Sequence, residues 1–243
     1  MAVSRDMDGE VGEAIAAFKS GRPVMIYDSD YREMETDLLW HAEAATPEVI
    51  RRLRNDCGGL LFLAIGNEIG EMFGLPWLQD IHSHESLVEE NPVLGHLVTN
   101  DLQYDSRSAF TLSLNHRETY TGITDRDRSL TTRRFGELSG ELIEKDQDAL
   151  RAIERLGKEF RTPGHIPVCR ESPGGLKTRQ GHTELAVSIA RLAGLTACTI
   201  GAEMLEPEGD GALSLEGARA YANKHGIPMI TGEKISTIFN EKD

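Results

Sequence analysis

Between Pro23 and Ala44 the chain reads PVMIYDSDYREMETDLLWHAEA. Its two ends, PVMIYD and DLLWHAEA, are short apolar runs of the kind that form buried strands. Six acidic residues fall in the seventeen positions from Tyr27 to Glu43, interleaved with apolar ones instead of gathered at one end. A charged run joining two ordered segments is commonly a solvated loop. The same run also fits a cation site, because a hard ion such as magnesium takes one or two carboxylates together with water and substrate oxygens. In an extended segment Glu33, Glu35 and Asp37 would share one side.

Upstream, GEVGEAIAAFKSGRP sets Val11, Ile15, Ala16 and Phe18 at helical spacing and stops at Gly21 and Pro23. Downstream, TPEVIRRLRNDCGG predicts a helix capped by Thr46 and ended by Gly58 and Gly59, and LLFLAIG a buried strand. From Asn67 to Gln103 the pattern loosens, and this segment, 67–103, is expected to be helix and loop covering the sheet. AFTLSLNH alternates as a half-buried strand, RETYTGITDRDRSLTTRRFGELSG is a polar loop turning helical near Ser129, and QDALRAIERLGKEF is helical. RTPGHIPVCRESPGGLKTRQG is dense in Pro and Gly and reads as loop. The last third gives helix HTELAVSIARLAG, strand TACTIGAEML, helix SLEGARAYANKHG and strand IPMITG. Helices and strands interleaved without linker or repeat predict an α/β fold, one three-layer domain spanning 1–243.

Composition narrows the function classes. Of 243 residues, 39% are hydrophobic and 27% charged, ordinary for a globular chain that buries a core. The formal charge of −14, with no Lys/Arg-rich block, argues against a nucleic-acid partner and would suit a salty cytoplasm. The N-terminal MAVSRDMDGEVGEAIAAF lacks the basic and apolar regions of a secretion signal. The longest apolar run, LLFLAI, falls far short of the roughly 20 residues that cross a membrane, so no membrane role is expected. Cys57, Cys169 and Cys198 have no zinc-like spacing and read as thiols in a reducing, cytoplasmic compartment.

TRQGHTELAV has the make-up of an anion site at a helix start: Arg179 offers a forked donor, Gly181 close backbone approach and Thr183 a hydroxyl. A plain capped helix explains the same letters. His165 in PGHIPV and His182 in GHTE, each taken alone, fit packed or surface histidines as readily as functional ones.

In order along the chain, YDSDYREMETDLL, TGITDRDRSLTT, PGHIPV, GGLKTRQGHTELAV, GAEML and AYANKHGIPMIT together resemble the 3,4-dihydroxy-2-butanone 4-phosphate synthase family. The resemblance runs from about Gly21 to Ile235 and is strongest at Arg32–Asp37 and Arg179–Glu184. Many members read Asp-Asp-x-Asp before the first of these cores and Asn and Gly inside it. Here stand Asp28-Ser29-Asp30-Tyr31, then Met34 and Thr36, and Ile166-Pro167-Val168 replaces a segment that commonly carries Phe before Pro. These departures look like the archaeal branch and leave the charged positions intact. Bifunctional members add a cyclohydrolase-like half, and the chain is expected to be monofunctional.

The resemblance implies a single three-layer α/β/α domain with a mixed sheet. It implies conversion of D-ribulose 5-phosphate to L-3,4-dihydroxy-2-butanone 4-phosphate and formate in riboflavin biosynthesis, dependent on magnesium, with manganese as a substitute and two ions per site. Glu33 and His182 would be metal ligands. Arg32, Glu33, Asp37, Arg179, Gln180, Gly181, His182, Thr183 and Glu203 would contact substrate, and His165 and Glu203 would be the catalytic groups. Asp28 and Glu35 would stand in or next to the metal shell. A homodimer is implied, with the TGIT loop near Thr121–Thr124 approaching a partner's site. The rival expectation is a non-catalytic phosphosugar- or nucleotide-binding protein on the same scaffold.

Overall fold

The two apolar runs around the acidic segment do form strands, and they sit inside a sheet whose central members are buried on both faces. The computed structural model describes residues 9–98, 101–103, 105–145 and 148–242. Gln147 of the expected QDALRAIERLGKEF helix and residues 99–100 of the 67–103 segment therefore lie outside the described residues. In chain order the elements are α1 (Glu10–Lys19), β1 (Val24–Tyr27), β2 (Thr36–His41), α2 (Pro47–Asp56), β3 (Phe62–Ile65), α3 (Asn67–Met72), α4 (Leu78–His82), α5 (Glu85–Glu90), α6 (Val93–Leu97) and β4 (Phe110–His116). There follow α7 (Asp125–Glu144), α8 (Ala149–Glu159), β5 (Phe160–Arg170), α9 (His182–Leu192), β6 (Cys198–Glu203), α10 (Leu215–His225), β7 (Met229–Thr231) and α11 (Gly232–Lys242).

One mixed sheet runs β4-β5-β3-β6-β2-β1-β7. The pairs β1/β2, β2/β6, β3/β6 and β4/β5 are antiparallel, and β3/β5 and β1/β7 are parallel. Every residue of β1, β2 and β3 is buried, as strands covered by helices on both faces require. α9 packs on β2, β3 and β6 beside α1 and α11, while α7 packs on β4, β5 and β6 beside α2. The Thr199 hydroxyl donates to the Ala186 carbonyl of α9 at 3.0 Å, so alternate β6 residues Thr199, Gly201 and Glu203 face that layer. The register Asp37↔Glu203 puts Asp37 of β2 on the same face, under the start of α9.

Local chemistry sets most boundaries as expected. The Thr46 hydroxyl accepts from the Val49 N–H, a cap that contributes about 1 kcal/mol, and Gly58 closes the turn after α2 at φ 86°. α7 begins at Asp125, four residues before the expected Ser129, because Thr124 caps it by accepting from the Asp127 N–H. The sequence reading stopped at Gly232, yet a further helix, α11, follows it.

Two expectations differ from the structure more widely. RTPGHIPVCR, read as loop, is strand β5. Its pairing with β4 jumps from Leu114↔Ile166 to Asn115↔Arg161, so Pro163 and Gly164 occupy an irregularity where no ladder bond is required of them. Gly164 lies so close to the Leu114 backbone that a Cβ would come within 1.9 Å of it. The 67–103 segment covers the sheet less fully than expected: Ile69 of α3 enters the core and α4 lies against β4, but α4, α5 and α6 bury no residue. Strand β4 also departs from strict alternation: buried Thr111 donates its hydroxyl to the Val168 carbonyl.

Candidate active site

The acidic turn between β1 and β2 is organised by its own first carboxylate. Asp28, 2% exposed, accepts from the Glu33 N–H at 2.9 Å with one oxygen and from the Glu35 N–H at 3.0 Å with the other. Met34 between them has φ 57°, a left-handed conformation that costs a non-glycine residue about 1–2 kcal/mol. The segment is thus a turn and not an extended strand, and the expected one-sided row of Glu33, Glu35 and Asp37 does not form. Tyr27 braces the turn by donating its hydroxyl to Asp30 at 2.7 Å.

The turn carries Glu33 to His182, the first residue of α9. His182 Nε2 lies 3.1 Å from Glu33 Oε2 and 3.9 Å from Asp28 Oδ2, and Nδ1 lies 2.9 Å from Asp37 Oδ2. Gly181, at the N-cap of α9, provides no side-chain cap, so the plain capped-helix reading fails there. Donor atoms of Asp28, Glu33 and His182 all fall within 4.8 Å of one another, a spacing that one cation can bridge. Both ring nitrogens of His182 are buried, and neither makes an aligned hydrogen bond among the described residues. Burial lowers the His182 pKa, but the Asp37 and Glu33 carboxylates outweigh it and hold the imidazole well above its ordinary value. The Glu33 carboxyl is lowered by its contact with His182, against burial. Half-buried Glu35 is pushed up, first by burial. A crowd of carboxylates around one imidazole, with ring nitrogens unaligned, is the donor set expected of a divalent-cation site.

Opposite Asp37 stands Glu203 at the end of β6. Its Oε2 is buried without a hydrogen-bond partner among the described residues. Gly59 makes room for it, since a Cβ there would lie 2.6 Å from that oxygen. Burial first, and the Asp37 carboxylate second, push the Glu203 carboxyl up to about 7 from 4.5. The folded chain therefore holds a proton that the unfolded chain has released between those pH values, and stability falls as pH rises across that window. Glu203→Gln removes the penalty. In chelator at pH 8 its melting temperature is expected to exceed that of the parent by about 2–5 °C, a gain that fades near pH 5. Coincident melting curves at both pH values would contradict the strained carboxyl.

Glu33, His182, Thr183, Glu203 and Arg179 line a cavity of about 280 Å³ whose floor includes Phe62. Arg179 donates Nε (2.8 Å) to Asp105 and Nη1 (2.6 Å) to buried Glu184, and Arg32 Nη2 donates to the same Asp105 oxygen at 3.2 Å. Gly181 packs under Arg179, where a Cβ would meet Nη1 at 2.4 Å. Gln180 is exposed and lines an adjoining cavity of about 770 Å³ that shares Asp105 and Arg179. Asp105 was not anticipated: it is one of two acids in the polar stretch DLQYDSRS, with no motif around it.

The fold does not bring His165 to this cluster. It lies exposed on β5, where the Asn115 side-chain oxygen accepts from its backbone N–H at 2.9 Å and its ring nitrogen sits 3.1 Å from the Asn115 amide nitrogen. Cys169, which does line the cavity, is four residues further along the strand, about 13 Å at the usual rise.

A family model described as 3,4-dihydroxy-2-butanone 4-phosphate synthase matches residues 12–238. The chain is 38% identical over 231 residues to the 3,4-dihydroxy-2-butanone 4-phosphate synthase of Methanothermobacter thermautotrophicus, covering 95% of this chain and 96% of the relative. It is 41% identical over 226 residues to the Archaeoglobus fulgidus protein of the same name, covering 92% and 91%. Among solved structures, the Candida albicans synthase superposes with a TM-score of 0.70 at 28% identity, covering 94% of this chain and 96% of that one. A synthase crystallised with two magnesium ions gives 0.68 at 26% identity, covering 92% and 93%.

Proposed function

The chain belongs to the 3,4-dihydroxy-2-butanone 4-phosphate synthase family, and we propose that its cavity converts D-ribulose 5-phosphate to L-3,4-dihydroxy-2-butanone 4-phosphate and formate, a step of riboflavin biosynthesis. The observation that carries this reading is the meeting of Glu33 and His182 at 3.1 Å, beside Asp28 and against a cavity that also holds Glu203.

The carbons, hydrogens and oxygens of the ketose phosphate are all recovered in the two products, so the reaction asks for proton transfers and polarised oxygens without an external oxidant. Glu33 and His182, with Asp28 and Glu35 close by, would hold magnesium or, in its place, manganese, as one or two ions. When bound, such a cation polarises neighbouring carbonyl and hydroxyl oxygens of a sugar. Asp37 holds the Nδ1 side of His182 and leaves Nε2 facing Glu33. Glu203, with its pKa raised to about 7, can both take and return a proton at neutral pH, the behaviour required to form an enediol and then lose the first hydroxyl. Arg32 and Asp37 are assigned to the sugar chain, and Arg179, Gln180, Gly181 and Thr183 to its phosphate. Thr183 opens α9 together with His182, where free backbone N–H groups favour an anion.

His165 enters through a second copy of the chain. It is exposed and remote from the cavity in one subunit, and a homodimer that apposes β5 to the partner's cavity would supply it as the second proton carrier. The Thr121–Thr124 loop, flanked by Tyr120 at 94% exposure and containing Ile123 at 51%, offers an apolar surface for that contact.

Catalysis is favoured over mere phosphosugar binding by the Glu203 oxygen, buried and without a hydrogen-bond partner among the described residues, an arrangement a binding protein would have no reason to retain. Purified protein with ribulose 5-phosphate and magnesium is expected to release formate, to lose at least about 100-fold of that rate in chelator, and to regain it on adding magnesium back. Absence of formate in the magnesium arm would overturn the proposal.

A further inference from the structure

We propose that Arg107 completes the phosphate subsite of the cavity, adding positive charge to donors of Arg179 and Thr183 whose own surroundings are already neutralised by carboxylates. This rests on the phosphosugar reading above and adds a residue to it. The Arg179 guanidinium is already committed to two carboxylates, Asp105 at 2.7–2.8 Å and the fully buried Glu184 at 2.6 Å. Arg32 shares that same Asp105. Two guanidiniums against two carboxylates present little net charge to a phosphate dianion, and on the rest of the wall His182 is set against the acids Glu33 and Glu203.

Beside Arg179, Arg107 puts a second guanidinium on this wall, in the same cavity lining as Glu33, His182 and Glu203. Its Cζ stands 3.5 Å from the Trp77 ring centroid, and the Arg170 guanidinium stands 4.1 Å from the same ring. Stacking of this kind fixes the plane of the guanidinium and lowers the entropy lost when its N–H fork closes on a phosphate. The ion pair it makes is with Asp80 at 3.2 Å, and the Asp80 side chain is 56% exposed. Such an exposed pair holds weakly and yields to a dianion, unlike the buried partners of Arg179. Held on its flat face and lightly paired at its edge, Arg107 is available to an anion entering the cavity.

The test is steady-state kinetics of the full-length protein in magnesium, with inorganic phosphate as competing probe. In Arg107→Ala the KM for ribulose 5-phosphate and the inhibition constant of phosphate are both expected to rise at least about tenfold, with kcat within about threefold of the parent. Arg107→Lys is expected to recover part of both, since it keeps the charge and loses the fork. A KM and a phosphate constant within about twofold of the parent in Arg107→Ala would overturn the assignment. If that variant does not fold, Arg107→Met, which keeps an apolar stem against Trp77, carries the same criteria. Calorimetric titration of parent and variant with phosphate alone separates the two proposals: equal affinities refute Arg107 even where turnover is sound. A parent that binds phosphate through Arg107 without releasing formate refutes the proposed reaction and leaves this subsite standing.

Discussion

Glu33→Gln is expected to lower formate release from ribulose 5-phosphate by about 1,000-fold or more at saturating magnesium. The substitution is nearly isosteric, and what fixes the turn is the Glu33 backbone N–H bound to Asp28, which is untouched. The side chain is 37% exposed, so no core packing is lost. What disappears is the negative charge 3.1 Å from His182 Nε2, and with it one of the three donors grouped within 4.8 Å. Two readouts distinguish this from a folding defect. Melting in chelator should stay within a few degrees of the parent, and the rise in melting temperature that magnesium gives the parent should vanish. Normal turnover in the variant would remove Glu33 from the ligand set.

The second large effect needs two proteins that are each inactive. His182→Ala loses the cavity's imidazole, and His165→Ala loses the exposed histidine on β5 while keeping substrate binding. If each site takes His182 from one subunit and His165 from the other, a mixed dimer of the two variants has one intact site and one doubly broken site. Random reassociation at equal amounts makes half of all dimers mixed, so about a quarter of the parent activity should return. No recovery from well-folded mixed dimers would show that His165 does not act across an interface. Full formate output from His165→Ala alone would exclude it from the reaction altogether.

How much of this was legible beforehand follows from the range of the forces involved. The β1–β2 pair, the Thr46 cap and the glycine ends of α9 and α10 were readable because each depends on neighbours a few residues away. β5 was misread because Pro and Gly are loop-formers locally, whereas its place between β3 and β4 is a tertiary fact that overrides propensity. The convergence of Glu33 and His182 came from the family resemblance and not from spacing. Asp105 had no such help: its arginine partners are 73 and 74 residues away in sequence, and only the folded chain joins them. The turn at Met34 escaped notice because a methionine gives no warning of a left-handed backbone.

The pairing of Asp37 with Glu203 ties catalysis to alignment along the chain. Because consecutive strand residues point to opposite layers, sliding β2 past β6 by a single position would swing its carboxylate away from His182 and bury it among hydrocarbon on the far side. A one-residue deletion or insertion inside either strand is therefore not a local wound but a choice between forfeiting the chemistry and unzipping the middle of the molecule. Changes of length are correspondingly expected to be tolerated only in the outer connections, such as α5 and α6, which bury no residue.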